Sequence, residues 1–268
     1  MYQGTIVPLV TPLTETGEVS SPCVARLVDS VRDEVTAVMP ALSSGEGWLL
    51  DAGRWRDMVA ATVTYAAGLP VLAGIQLPTT GEVVARARTA AELGADAVVV
   101  TTPFDPELDQ DAVYRHYATV REGTALPIFL YNEHAISGNH IALDTIVRIC
   151  ALPGVAGIKE SSGSPELTRR IAAAVPHVPV FEGWENLLLD VLSGDAGVAG
   201  FVGPLANLEP ALCSLMLREP SAEVQAEINA ACERLGLFKD DWYRWAKAEL
   251  RRRAVIDSDR TVEWDGAP

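Results

Sequence analysis

Lys159 carries the clearest chemical potential in this sequence. The chain has three lysines against eighteen arginines, and Lys239 and Lys247 fall in helical text further on; Lys159 alone closes a buried-looking run, Val155-Ala156-Gly157-Ile158. An ammonium there is partly desolvated, which lowers its pKa and supplies the free amine that an imine with a carbonyl requires. On the residues alone, a strand-end lysine paired with a carboxylate such as Glu160 is the plainer alternative. Tyr131 ends the preceding apolar run, so its phenol could stand beside the amine and relay protons in imine formation and C–C cleavage. A rim tyrosine with an apolar ring and a wet tip fits the same pattern. Leu42-Ser43-Ser44-Gly45-Glu46 offers two hydroxyls and successive backbone N–H groups in a turn, a cradle for a carboxylate. Glu46 reads as a residue that holds the turn rather than a catalytic one. Glu133 and His134, just after Tyr131, form an extra acid/base pair, whereas His116 and His140 read as surface residues of a helix or loop.

These residues converge only if particular elements carry them. Short apolar runs without strict alternation, as parallel strands covered on both faces show, occur at Thr5–Val10, Thr36–Ala41, Pro70–Ile75, Ala97–Thr101, Pro127–Tyr131, Val155–Lys159, Val178–Phe181 and Val198–Val202. Helical stretches separate them. Thr79 with Glu82 forms a capping box for a helix stopped by Gly94, Ser164-Pro165 reads as an N-cap with proline at the first helical position, and Gly68 and Gly194 read as helix stops. Eight such units predict an α/β fold, a TIM (β/α)8 barrel over residues 1–218; a doubly wound sheet is the competitor, since periodicity does not show whether a sheet closes. Helices are predicted at Leu208–Leu217, Glu223–Leu235 and Asp241–Arg253, the first as the eighth barrel helix. Residues 219–268 form a helical extension packed on the barrel, its last fifteen residues polar and expected to fray. In such a barrel the site lies at the C-terminal strand ends, near Thr11, Ser43–Glu46, Thr101–Phe104, Tyr131 and Lys159.

The 268 residues carry a formal charge of −15 and 49% hydrophobic residues. So acidic a surface repels nucleic acid and anionic membranes. Cys23, Cys150, Cys213 and Cys232 are widely spaced, without a C-x-x-C pair, which argues against disulfides or zinc and for a reducing, cytoplasmic setting. The opening MYQGTIVPLV has no signal-peptide features, and no apolar run is long enough to span a membrane. Four histidines without convergence give no metal site, and no glycine-rich nucleotide motif is present.

Leu130-Tyr131-Asn132 and Gly157-Ile158-Lys159-Glu160-Ser161-Ser162-Gly163 are the strongest motifs by which the chain resembles the dihydrodipicolinate synthase / N-acetylneuraminate lyase family of pyruvate-dependent class I aldolases. Supporting motifs are Gly4-Thr5-Ile6-Val7-Pro8-Leu9-Val10-Thr11-Pro12-Leu13, Ser43-Ser44-Gly45-Glu46, Gly94-Ala95-Asp96-Ala97, Thr102-Pro103, and Gly197-Val198-Ala199-Gly200 with Asn207 and Pro210. The likeness runs to about Arg253. It implies that Lys159 forms a Schiff base with a 2-oxo acid, that Tyr131 relays protons, and that Ser43 and Ser44 hold the keto acid's carboxylate where the family usually has threonines. It also implies a homotetramer of tight dimers without cofactor.

The departures shape the expectation. Phe104 and Asp105 stand where synthase members carry two tyrosines, the second reaching a neighbour's site. Ile136 stands where they place the arginine that grips the aldehyde's carboxylate, a bidentate grip isoleucine cannot supply. His134 replaces the usual proline of that loop. The family's last C-terminal helix is missing, so a dimer stands beside the tetramer. The reading is therefore a lyase: a Schiff-base aldolase acting on pyruvate or a related 2-oxo acid and an aldehyde, not a lysine-biosynthetic synthase, with Glu133 or His134 as substitute acid/base. An imine-forming dehydratase or hydratase-aldolase of a specialised pathway, and a catalytically silent keto-acid-binding homologue, are the alternatives.

Overall fold

The computed structural model describes residues 2–193 and 197–262. Eight parallel strands, β1 (Gly4–Val7), β2 (Ala37–Val38), β3 (Leu72–Ile75), β4 (Ala97–Val100), β5 (Ile128–Asn132), β6 (Val155–Glu160), β7 (Val180–Glu182) and β8 (Gly200–Phe201), form one sheet in the order β2-β1-β8-β7-β6-β5-β4-β3. A parallel bridge between Val38 and Val71 closes the ring, with Val38 N–H on Pro70 O and Gly74 N–H on Pro40 O. The fold is the expected barrel, and the doubly wound alternative falls with that closure. Several strands are shorter than the apolar runs that announced them, because Pro8, Pro40, Pro70, Pro127 and Pro179 lack the N–H a ladder needs and sit at or beyond strand ends.

The outer layer is α1 (Ser21–Val31), α2 (Ala52–Tyr65), α3 (Thr80–Leu93), α4 (Gln110–Gly123), α5 (Leu143–Cys150), α6 (Pro165–Ala174), α7 (Leu188–Leu192) and α8 (Pro210–Arg218), followed by α9 (Ala222–Arg234) and α10 (Trp242–Arg252) beyond the barrel. Local signals explain several ends. Thr79 accepts Glu82 N–H at 3.3 Å, Ser164 accepts Leu167 N–H at 3.2 Å, and Gly94 caps α3 at a φ of 87°. Gly68 has a φ of 93° but lies past a helix already ended at Tyr65. Gly194 lies outside the described residues.

Two sequence expectations are overturned. His116 is not a surface residue: it is 3% exposed, its ring bonded to the Thr80 hydroxyl (2.8 Å) and to Thr101 O (3.0 Å). Burial pushes its pKa down to about 4, so it sits neutral between α4 and the end of β4. Residues 254–262 of the segment expected to fray are packed instead, with Ile256, Ser258, Thr261 and Val262 buried.

Three apolar clusters result: one inside the barrel and two between strands and helices. Within the barrel, Phe129 leans on Phe181, ring centres 6.0 Å apart, while Tyr2 meets Phe129 edge-on at 5.0 Å. The β5–β6 ladder slips by one residue there: Ile128 pairs with Val155, but Phe129 pairs with Gly157 and Tyr131 with Lys159. A side chain at 157 would not fit, since its Cβ would stand 2.1 Å from Phe129 Cε1. The slip therefore uses a glycine to seat a phenylalanine, and it levels Tyr131 with Lys159 two residues on. Gly157→Ala is expected to lose about 1–3 kcal/mol through overpacking, read as a lower urea midpoint, and Phe129→Leu in the same chain should recover much of it.

Candidate active site

The inward residues at the C-terminal ends of the strands surround a cavity of about 320 Å³. Ser43, Ser44, Tyr131, Glu133, His134, Ile136 and Lys159 all border it. Phe104 and Asp105 do not: Phe104 N–H is spent on Pro78 O at 3.2 Å, and the Asp105 carboxylate accepts Glu107 N–H at 3.0 Å.

Lys159 is 4% exposed, its Nζ 4.3 Å from the centre of the Tyr131 ring. Among the described residues no carboxylate forms an ion pair with it. Glu160 points elsewhere, accepting from Asn132 Nδ2 (2.6 Å) and Ser162 N–H (2.7 Å), so the plainer pairing read from the sequence is not the one formed. Burial pushes the ammonium down to about 8, against the pull of Glu185, Glu133 and Glu182. The Tyr131 hydroxyl lies 3.3 Å from Ser43 Oγ, and burial, reinforced by the Glu133 charge, holds the phenol well above its ordinary range.

The serines sit on a 3-10 turn, Ser43–Gly45, after β2. Gln76 Nε2 donates to Ser43 Oγ at 3.1 Å, and Thr11 Oγ1 donates to Gly45 O at 2.6 Å. The turn ends at Glu46 in a left-handed conformation, φ 57°, which costs a non-glycine residue roughly 1–2 kcal/mol. Glu46 is fully buried away from the cavity. Its carboxylate pairs with the equally buried Lys247 of α10 and accepts Val262 N–H at 2.6 Å, while Lys247 Nζ also donates to Arg260 O at 2.8 Å. The turn is thus clamped from behind by a segment more than two hundred residues away.

Glu133 is occupied by its own loop: its two oxygens accept Ile136 N–H (2.9 Å) and Ser137 N–H (3.2 Å). His134 is exposed and stacks on His140, ring centres 4.4 Å apart. The sequence reading passed over Glu185, at the start of a 3-10 turn after β7. It is 2% exposed, borders the cavity, and accepts Leu205 N–H on Oε1 at 3.0 Å. Burial pushes its pKa up to about 7, opposed by that hydrogen bond and by Lys159. Gln76 was passed over too. Both lie just past the C-terminal ends of strands, β7 and β3, so the rule that selected Lys159 reaches them once applied to every strand. The outer wall, Leu237 to Trp242 between α9 and α10, had no comparable signal.

The sequence model of the Dihydrodipicolinate synthetase family matches residues 1–259. The chain belongs to this family. The 4-hydroxy-tetrahydrodipicolinate synthase of Methylococcus capsulatus is 31% identical over 262 residues, 93% of this chain and 89% of that protein. A DapA-like lyase of Halobacterium salinarum is 33% identical over 211 residues, 78% of this chain and 69% of its own length. YagE of E. coli K12, a prophage protein of the dihydrodipicolinic acid synthase family solved in complex with pyruvate, aligns over 100% of this chain and 93% of its own with a TM-score of 0.91; at 21% identity that likeness is one of fold. As a member of the dihydrodipicolinate synthetase family, the chain falls among pyruvate-dependent Schiff-base lyases and aldolases. No helix among the described residues is long and apolar enough to cross a membrane.

Lys247→Met should strand Glu46 as a buried, unpaired charge and cost about 3–5 kcal/mol, measurable by chemical denaturation. Adding Glu46→Gln should return a large part of that loss. A double variant no more stable than Lys247→Met would show that the two charges are not one unit.

Proposed function

We propose that the chain is a class I aldolase in which Lys159 forms the imine with pyruvate or a related 2-oxo acid, Tyr131 relays protons, and the Ser43–Ser44 turn holds the keto acid's carboxylate. The observation that carries this reading is the levelled pair Tyr131 and Lys159 on adjoining strands, with Ser43 bonded to the phenol and, among the described residues, no carboxylate paired to the amine. A buried lysine without an ion-pair partner is suited to act as a nucleophile rather than a counter-ion.

In the cleavage direction the amine adds to the keto carbon, and loss of water from the carbinolamine gives the protonated imine. A base removes the proton of the substrate's carbinol hydroxyl, the C–C bond breaks, and its electron pair passes into the iminium to leave an enamine. The aldehyde departs. The enamine carbon is then protonated and water hydrolyses the imine. For the acid/base step Glu185 is better suited than Glu133, whose oxygens both serve its own loop, or than His134 at the solvent edge. Its pKa near 7 suits a group that must both take and give a proton. Ile136 in the cavity wall argues against lysine biosynthesis, because among the described residues no arginine borders the cavity to grip a carboxylated semialdehyde. We read the molecule as working as a homo-oligomer, dimer or tetramer, with residues 219–262 as a helical extension on the barrel.

Borohydride with pyruvate should add a reduced pyruvate adduct to the native chain and none to Lys159→Ala, read by intact mass. No adduct with any 2-oxo acid on folded protein would shift the reading to a silent binding homologue. Because only the free amine attacks, the trapping rate should rise about tenfold per pH unit below about 8 and level off above it. Tyr131→Phe should still bind pyruvate but lose about 10²-fold or more in turnover; a loss confined to KM would deny the relay.

A further inference from the structure

The cavity has two unlike halves. Around Lys159 lie the hydroxyls that suit a keto acid, whereas the rest of the lining includes the apolar side chains of Ile136, Trp184, Leu237, Phe238 and Trp242. Trp184 and Phe238 are 42% and 40% exposed, two of the few large apolar side chains among the described residues that face solvent, and both border this one cavity. Exposed rings gathered at a pocket mark a surface meant to be covered. The Trp184 ring is also held in place: its indole N–H donates to Ser161 O at 3.0 Å, and its backbone N–H donates to Glu182 Oε1 at 2.9 Å. A fixed ring is a stacking platform whose ordering cost is met before any ligand arrives.

Charge narrows the choice of ligand. Among the described residues Glu133, Glu185 and Asp240 border the cavity and no arginine does. The one ammonium besides Lys159, Lys239, rests 3.3 Å from the centre of the Trp245 ring. A carboxylated electrophile would meet like charges and find no bidentate partner. A small aliphatic aldehyde would leave the rings uncovered.

Resting on the imine reading above, we propose that the second substrate is an uncharged aryl aldehyde, its ring stacked on Trp184 and flanked by Phe238. In the synthetic direction the pyruvate enamine carbon bonds to the aldehyde carbon, and the aldehyde oxygen takes up the proton. Hydrolysis of the imine releases a 4-aryl-4-hydroxy-2-oxo acid.

The test uses the full chain in two steps. Borohydride trapping with pyruvate alone first establishes the imine; if no adduct forms, the imine reading falls and this proposal with it. With the adduct in hand, kcat/KM is measured for benzaldehyde, propanal and succinic semialdehyde with pyruvate in excess. The expected result is a preference for benzaldehyde over each of the others of about tenfold or more. Trp184→Ala should cut the benzaldehyde-to-propanal ratio at least about fivefold, Trp184→Phe should restore much of it, and Phe238→Ala should lower it less. A preference for succinic semialdehyde or propanal overturns the proposal while leaving the imine intact. So does a ratio indifferent to residue 184, with folding of each variant verified by its melting curve.

Discussion

Lys159 is buried and, among the described residues, paired with no carboxylate, although the chain places four glutamates, at 133, 160, 182 and 185, within or beside the same strand ends. Any one of them as a close partner would hold the ammonium charged. The fold averts this by giving each carboxylate other donors. Glu160 takes the Asn132 amide and Ser162 N–H, Glu182 takes Thr168 Oγ1 with the N–H groups of Gly183 and Trp184, Glu133 takes its own loop, and Glu185 takes Leu205 N–H. Buried carboxylates are tolerable because backbone donors satisfy them. Glu185, Glu133 and Glu182 therefore act on Lys159 through space, opposing the larger effect of burial.

The barrel was legible because its buried strands are apolar runs set at a repeating interval with capped helices between them. Lys159 and Tyr131 were legible for the same reason, since each ends such a run. What sequence could not supply was adjacency across long separations. Nothing near Glu46 names Lys247 as its partner, and nothing near Lys247 distinguishes it from an ordinary helical lysine. His116 was misread because a polar residue on an amphipathic helix reads as exposed unless its partners, here Thr80 and Thr101 O, are known. The tail was misread because polar composition hides Ser258 and Thr261, whose side chains are buried against the barrel.

The two parts of the cavity rest on different kinds of structure. The part that holds Lys159, Tyr131 and the two serines is built from strands and a clamped turn. The other half is built from the loop after β5 and the passage between α9 and α10, where Ile136 and the 237–242 stretch stand. Loops on a rigid frame are where one chemistry is offered to different substrates. Phe104 and Asp105 belong to neither half within a single chain.

The clamp behind the serine turn also sets an order of events. Glu46 and Val262 are 216 residues apart, and every barrel strand after β2 lies between them. During synthesis, which runs at roughly 5–20 residues per second, the turn emerges long before the donors that hold its strained end. In a chain that stops short of α10, the left-handed end of the serine turn lacks the groups that hold Glu46. The turn therefore gains its last supports only when α10 and residues 260–262 dock, so the part of the cavity rim it forms is completed near the end of the chain rather than where it is encoded.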